Sequence, residues 1–317
     1  MDYETFKQRI ARDVKEMLYA REHKEMNVSF HHIQKPNQNY EALSVSPKNC
    51  NVGVNFNIEI AFVYYKHTDD YAKTLANAVM VITEGLDKAP IIDVNVLMNY
   101  ENMKERLFVE VISADANANL LDNVPHDRME DLAVVYRFAM ERDEDELASI
   151  LVTNNLIERM GISYERLRRD ALENSPKIRP VIFMKLNEVM KELMGPEVFE
   201  VYGISDETDD TVYVATVPGM FSGAGVLAYP GFMDQAAEKV GGDFFVIPSS
   251  INEILLVADE GDTTADCLRK SVTEINATEV SPEEKLSDNV YHYDSKKHIF
   301  ELAENFEAKQ HVKNMKE

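Results

Sequence analysis

Apolar residues near the start of the chain fall at helical spacing, with Phe6, Ile10, Val14 and Met17 separated by steps of four, four and three. That stripe predicts an amphipathic helix over Tyr3 to Met17. The period then changes. Val28 to Ile33 and Tyr40 to Val45 flank Pro36-Asn37-Gln38-Asn39, a turn-rich connection that predicts a β-hairpin. His31 and His32 are adjacent, so a strand sends them to opposite faces, one to solvent and one to a packed side. A third strand is expected near Val52 to Phe56 and a helix over Asp69 to Gly85, with Gly85 as its C-terminal stop.

Leu107 to Ile112 is strongly strand-like, and Leu132 to Met140 reads as a strand returning through Ala148 to Thr153. Between them Leu120 to Arg128 is expected as a loop, because Pro125 blocks a helix there. Ser163 caps a helix that ends between Pro176 and Pro180, and Met184 to Met194 is a further helix stopped by Gly195-Pro196. Strands follow at Val198 to Tyr202 and Val212 to Val217.

The stretch from Gly219 to Glu260 predicts a small layered module. Val226 and Leu227 lead as a strand into Tyr229-Pro230-Gly231. Phe232, Met233, Ala236, Ala237 and Val240 mark a helix stopped by Gly241-Gly242, and Phe244 to Ile247 pairs with Ile254 to Val257. A helix over Asp262 to Asn276, an edge strand at Asn289 to Tyr293 and a charged helical or frayed tail at 295–317 complete the chain. The expected class is α+β, in two lobes that are each a mainly antiparallel sheet covered by helices. The first spans 1–195 and the second, acidic, spans 196–294, with Gly195-Pro196 as the boundary.

Composition narrows the class. The 317 residues carry a formal charge of −23, and from Glu197 to Asp266 there are 14 Asp or Glu against the single base Lys239. Such a surface repels phosphate backbones and acidic membranes alike, so neither nucleic acid nor a membrane is an expected partner. The most basic segment, Arg159 to Lys191 and including Arg179, reads as a solvated face or an internal counter-charge, with a phosphate or carboxylate site as the minority reading. No apolar run is long enough for a membrane helix and the first residues lack a signal-peptide core, so a cytoplasmic protein is expected. Cys50 and Cys267 stand far apart and outside metal-ligand spacing; no metal site or cofactor is expected.

Phosphate-binding glycine motifs, zinc-protease helices and the nucleophile elbow are all missing from the sequence. Gly223-Ala224-Gly225 lacks a third glycine and a phosphate ligand, and a tight backbone entry explains it as well. Two clusters remain. One is His126, Asp127 and Arg128, side by side, able to form an acid/base pair or bind an anion. The other is the turn Pro248 to Glu253, where Ser249, Ser250, Asn252 and Glu253 present two hydroxyls, an amide and a carboxylate. Serines in such a turn also bond their own backbone, and a serine nucleophile needs a positioned base. The candidate ligand-binding residues are therefore His126, Arg128, Ser249, Ser250, Asn252 and Glu253.

Leu120 to Tyr136, Ala171 to Pro180, Gly223 to Val257 and Ile275 to Asp294 together resemble a large bacterial family of unknown function, DUF5688, known from Gram-positive gut anaerobes. The resemblance spans most of the chain and implies no established activity or catalytic residue. Against that family's pattern, Asp127 stands where a second basic residue is common and Asn252 where a histidine is common. Two function classes follow. One is a non-catalytic module that binds a protein or a small ligand. The other is a hydrolase-like enzyme whose site forms where the two lobes join.

Overall fold

The computed structural model describes residues 1–48, 50, 52–89, 93–140, 148–194, 212–248, 250–261 and 263–314. The fold is α+β, with antiparallel sheets covered by helices. It divides into two compact units, Met1–Leu97 and Met98–Glu317.

In the first unit α1 (Tyr3–Glu22) is followed by β1 (Met26–Lys35), β2 (Gln38–Pro47) and β3 (Val54–Asn57), a three-stranded antiparallel sheet. Then come α2 (Ile58–Thr68), α3 (Tyr71–Asp87) and α4 (Val94–Leu97). The expected stripe buries Phe6, Ile10 and Val14, but the helix runs on to Glu22, so Leu18 completes the stripe and Met17 is exposed. Phe6 stacks on Tyr65 at 5.4 Å between ring centroids and meets Phe62 at 5.2 Å and Tyr71 edge-on at 6.2 Å. Such pairs add to the area they bury. The hairpin pairs without a break from Met26↔Pro47 to Lys35↔Gln38. Both His31 and His32 are exposed, contrary to the expectation of one packed ring; the His31 ring meets Ser29 Oγ at 2.9 Å on the surface of the strand. Gly85 does not stop α3. A Cβ on it would lie 2.7 Å from Val54 Cγ2, so it is the point where helix and strand approach closely.

The second unit holds two sheets. After α5 (Tyr100–Met103), β4 (Leu107–Ser113) is buried along almost its whole length. It pairs antiparallel with β6 (Leu132–Met140), whose other side pairs with β5 (His126–Met129) and β7 (Ala148–Leu151); α6 (Ala118–Leu121) precedes β5. The segment expected as a loop up to Arg128 is thus a strand from His126 onward. Its three polar residues carry no apolar alternation, and pairing with β6 supplies what local pattern does not. After α7 (Asn154–Met160), α8 (Tyr164–Ile178) begins at the Ser163 cap, whose Oγ accepts from Arg166 N–H at 3.3 Å. It packs through Leu167 and Ala171, and Ser175 Oγ accepts the Val109 N–H at 3.0 Å. The helix ends at Ile178, between Pro176 and Pro180 as expected, with Pro176 inside its last turn.

The six-stranded sheet has the order β13-β12-β10-β11-β9-β8, from β8 (Ile182–Lys185), β9 (Val212–Thr216), β10 (Phe244–Ile247), β11 (Ile254–Ala258), β12 (Tyr291–Asp294) and β13 (Ile299–Leu302). Helices α9 (Leu186–Met194), α10 (Phe232–Val240), α11 (Ala265–Thr278) and α12 (Ala303–Asn314) accompany it. The expected boundary at Gly195-Pro196 and the expected strand at 198–202 lie outside the described residues. The strands that bracket them, β8 and β9, are paired neighbours in one sheet. Expected strand character at Val226 and Leu227 is replaced by a 3-10 helix over Gly223–Ala228, while α10, the Gly241 stop and the β10/β11 pair follow the expectation. β12 is an interior strand rather than an edge, because Ile299 to Leu302, expected within a helical tail, form β13 beside it.

Candidate functional site

The register of the four-stranded sheet decides which polar groups share a face. Glu110 pairs with Val135, and Val135 pairs on its other side with His126; one row thus runs His126, Val135, Glu110 across three strands. At the usual strand spacing the outer members of this row are about 10 Å apart. Arg137 lies two residues along β6 on the same face, and Arg128 two residues along β5.

Glu110 is the centre of the polar network on this face. It is 2 % exposed; its Oε2 accepts from Arg137 Nη1 at 2.9 Å and its Oε1 from Ser222 Oγ at 2.5 Å. A carboxylate buried this deeply requires both bonds, since an unpaired one costs several kcal/mol. Arg137 is held from its other side, with Nε donating to Ser149 Oγ at 2.9 Å. Ser222 reaches Glu110 from the left-handed region, with φ 51°, and Met220 beside it has φ 59°. Backbone held there signals a turn fixed by its surroundings. Those surroundings are specific: a Cβ on Gly223 would lie 2.1 Å from both Asn252 O and Thr216 Oγ1, and one on Gly225 2.7 Å from Val109 O. The two glycines serve close backbone approach and no phosphate.

The same turn carries the second expected cluster. Ser222 N–H donates to Asn252 Oδ1 at 3.2 Å, Thr216 Oγ1 donates to Asn252 O at 2.6 Å, and Asn252 Nδ2 donates to Glu284 Oε1 at 3.0 Å. Ser250 Oγ donates to Glu253 Oε1 at 2.8 Å and accepts from Asn252 N–H at 3.0 Å, which closes the turn on itself. Ser249 lies outside the described residues. His126 Nδ1 bonds Val124 O at 3.0 Å. Among the described residues, no hydrogen bond or ion pair joins His126 or Arg128 to Ser250, Asn252 or Glu253. Hydrogen bonds run from Asn252 through Ser222 to Glu110, and His126 stands in the same cross-strand row as Glu110 without bonding to it among the described residues.

Asp127 faces away from that row. It accepts from Tyr164 Oη at 2.6 Å, Tyr136 Oη at 2.8 Å and Arg168 Nε at 2.7 Å. Burial pushes its carboxyl up, and these three bonds outweigh it, leaving the pKa below the usual carboxylate value. It is a tie between the sheet and α8. The basic segment behaves likewise. Arg166 pairs with Glu101, Arg169 with Asp170 and Lys177 with Glu173, so its counter-charges come from its own neighbourhood.

One family's model matches residues 3–295 of the chain. The chain belongs to DUF5688, a family of unknown function. No curated protein and no solved structure matches it. Within this DUF5688 chain, Glu110, Arg137 and Ser222 went unnoticed in the sequence. Two of them left a trace: Glu110 and Arg137 are lone charges inside runs of apolar strand residues, which is where a buried pair is needed. Among the described residues, no group of three or more His, Cys, Asp or Glu is placed to hold a metal, and no helix is long and apolar enough to cross a membrane.

Proposed function

We propose that the chain is a soluble cytoplasmic module that binds a protein or a small ligand and performs no chemistry of its own. The observation that carries this reading is the state of its hydroxyls. Ser222, the serine best placed to resemble a nucleophile, is 2 % exposed, and its proton is committed to a carboxylate that Arg137 already neutralises. Ser250 is closed onto Glu253. A nucleophile needs a free base and a path for substrate, and neither serine is offered both. The acidic surface argues against nucleic acid and acidic membranes as partners.

The second reading, a hydrolase, draws on the positive φ of Ser222 and on the His126–Glu110 row. One experiment separates the two. Wild type and Ser222→Ala are assayed against p-nitrophenyl esters and phosphates. The binding reading expects no turnover above background in either. Turnover in the wild type that disappears in Ser222→Ala, with the melting temperature unchanged, would establish the hydrolase instead.

A further inference from the structure

Arg179 follows the last turn of α8 and is 7 % exposed. Its guanidinium lies over the Phe108 ring at 4.7 Å and beside the Phe221 ring at 6.0 Å, and Nη2 donates to the Phe221 carbonyl. The main chain at this residue is fixed too, since Tyr229 Oη donates to Arg179 O at 3.0 Å. Yet Nη1 is buried and has no hydrogen-bond partner among the described residues. Native interiors rarely leave a buried donor of a charged group unmatched, and an unassigned ion or ligand is one of the standard explanations.

The charge balance points the same way. Among the described residues Arg179 makes no ion pair, and Glu110, whose field it feels, is already paired with Arg137. Both oxygens of that carboxylate are already taken, Oε1 by Ser222 and Oε2 by Arg137. One positive charge is therefore in excess inside a chain whose net charge is −23. Stacking on Phe108 offsets part of the cost of burying the guanidinium but supplies no acceptor. What is missing is one negative charge with acceptor oxygens, small enough to fit beside two aromatic rings and flat enough for the edge of a guanidinium.

We propose that the buried guanidinium of Arg179, through its unmatched Nη1, binds a small carboxylate monoanion. This rests on the binding reading above and gives it a site and a ligand class. The cover is Phe221, a large apolar residue about 39 % exposed whose ring and carbonyl lie against the guanidinium, so a ligand enters by displacing its side chain rather than the sheet.

Sodium formate and sodium acetate are titrated into the full chain at fixed ionic strength, with sodium chloride and sodium sulfate as comparisons, following the thermal midpoint by calorimetry. The expected result is a saturable rise of a few degrees with formate and acetate, since a ligand that binds only the folded state raises the midpoint by mass action. Chloride and sulfate are expected to give less. Arg179→Met is expected to lose the response, while Ser250→Ala keeps it. If Arg179→Met does not fold, Arg179→Lys retains the charge without the planar fork and is expected to bind formate about tenfold more weakly. No response to any carboxylate in the wild type, an equal response to chloride, or an undiminished response in either Arg179 variant would overturn the site. The esterase and phosphatase assays report on the non-catalytic reading independently of these titrations, so the two can fail separately.

Discussion

The two units bury polar groups in opposite ways. In Met1–Leu97 the buried threonines serve their own helices: Thr74 Oγ1 donates to Asp70 O at 2.9 Å and Thr83 Oγ1 to Val79 O at 2.7 Å. Its buried cation, Lys7, meets Glu41 at 2.6 Å near the rim, where Glu41 is still about a quarter exposed. In Met98–Glu317 several polar groups instead join segments far apart in the chain. Glu110 and Ser222 are 112 residues apart. Asp131, in the β5–β6 turn, accepts from Ser287 Oγ at 2.7 Å, Asn289 Nδ2 at 3.1 Å and Tyr291 Oη at 2.6 Å. The first unit is organised by apolar stripes with short polar repairs; the second needs polar bonds to say which of its segments meet. Hydrophobic packing is non-directional, whereas a satisfied buried network admits few alternative arrangements.

Breaking the Glu110–Arg137 pair is the most severe test of this contrast. Glu110→Ala leaves the largely covered Arg137 without its carboxylate partner and is expected to cost about 3–5 kcal/mol in urea unfolding. The corresponding Lys7–Glu41 coupling in the first unit, measured by a double-mutant cycle, is expected at about 1 kcal/mol or below. Similar values for the two pairs would remove the distinction. A smaller effect separates two glycines. Gly223→Ala pushes a methyl against backbone and is expected to cost about 1–3 kcal/mol. Gly85→Ala meets only the Val54 side chain and gains helix propensity worth about 1 kcal/mol, so its net change is expected near zero.

The smallest expected effect is the pH dependence at Asp127. Its folded pKa lies below the unfolded value, so its contribution is complete above about pH 4 to 5 and fades as pH falls through the folded value. Asp127→Asn is therefore expected to be less stable than wild type at pH 7 by about 1 kcal/mol, with the two converging toward pH 3. A gap that widens on acidification would mean that Asp127 is not stabilised as an anion.

Where the fold depends on local pattern, the sequence was a good guide. The α1 stripe, the β1–β2 hairpin, the Ser163 cap and the β10–β11 pair all follow from spacing and turn chemistry. β5 was missed because His126-Asp127-Arg128-Met129 becomes a strand only by lying against β6. The candidate site was legible in part. The Ser250 turn closes on itself as its composition suggests, yet its link to Glu110 passes through Ser222 and requires the register of two sheets. Lone charges at Glu110 and Arg137 mark that a partner is needed, but choosing the partner is a tertiary matter.

β13 carries a practical consequence. The family match stops at residue 295, whereas β13 begins at Ile299 and hydrogen-bonds along β12 from Tyr291↔Leu302 to Asp294↔Ile299. Phe306, just beyond, stacks on the fully buried His292 ring at 3.5 Å, and Ala303 fills a core position. A recombinant version stopped at 295 would uncover the imidazole and expose the unsatisfied flank of Tyr291–Asp294, a template onto which strands of other molecules can add. Expression trimmed to the family boundary is thus expected to yield aggregates, and one carried through α12 a monodisperse protein.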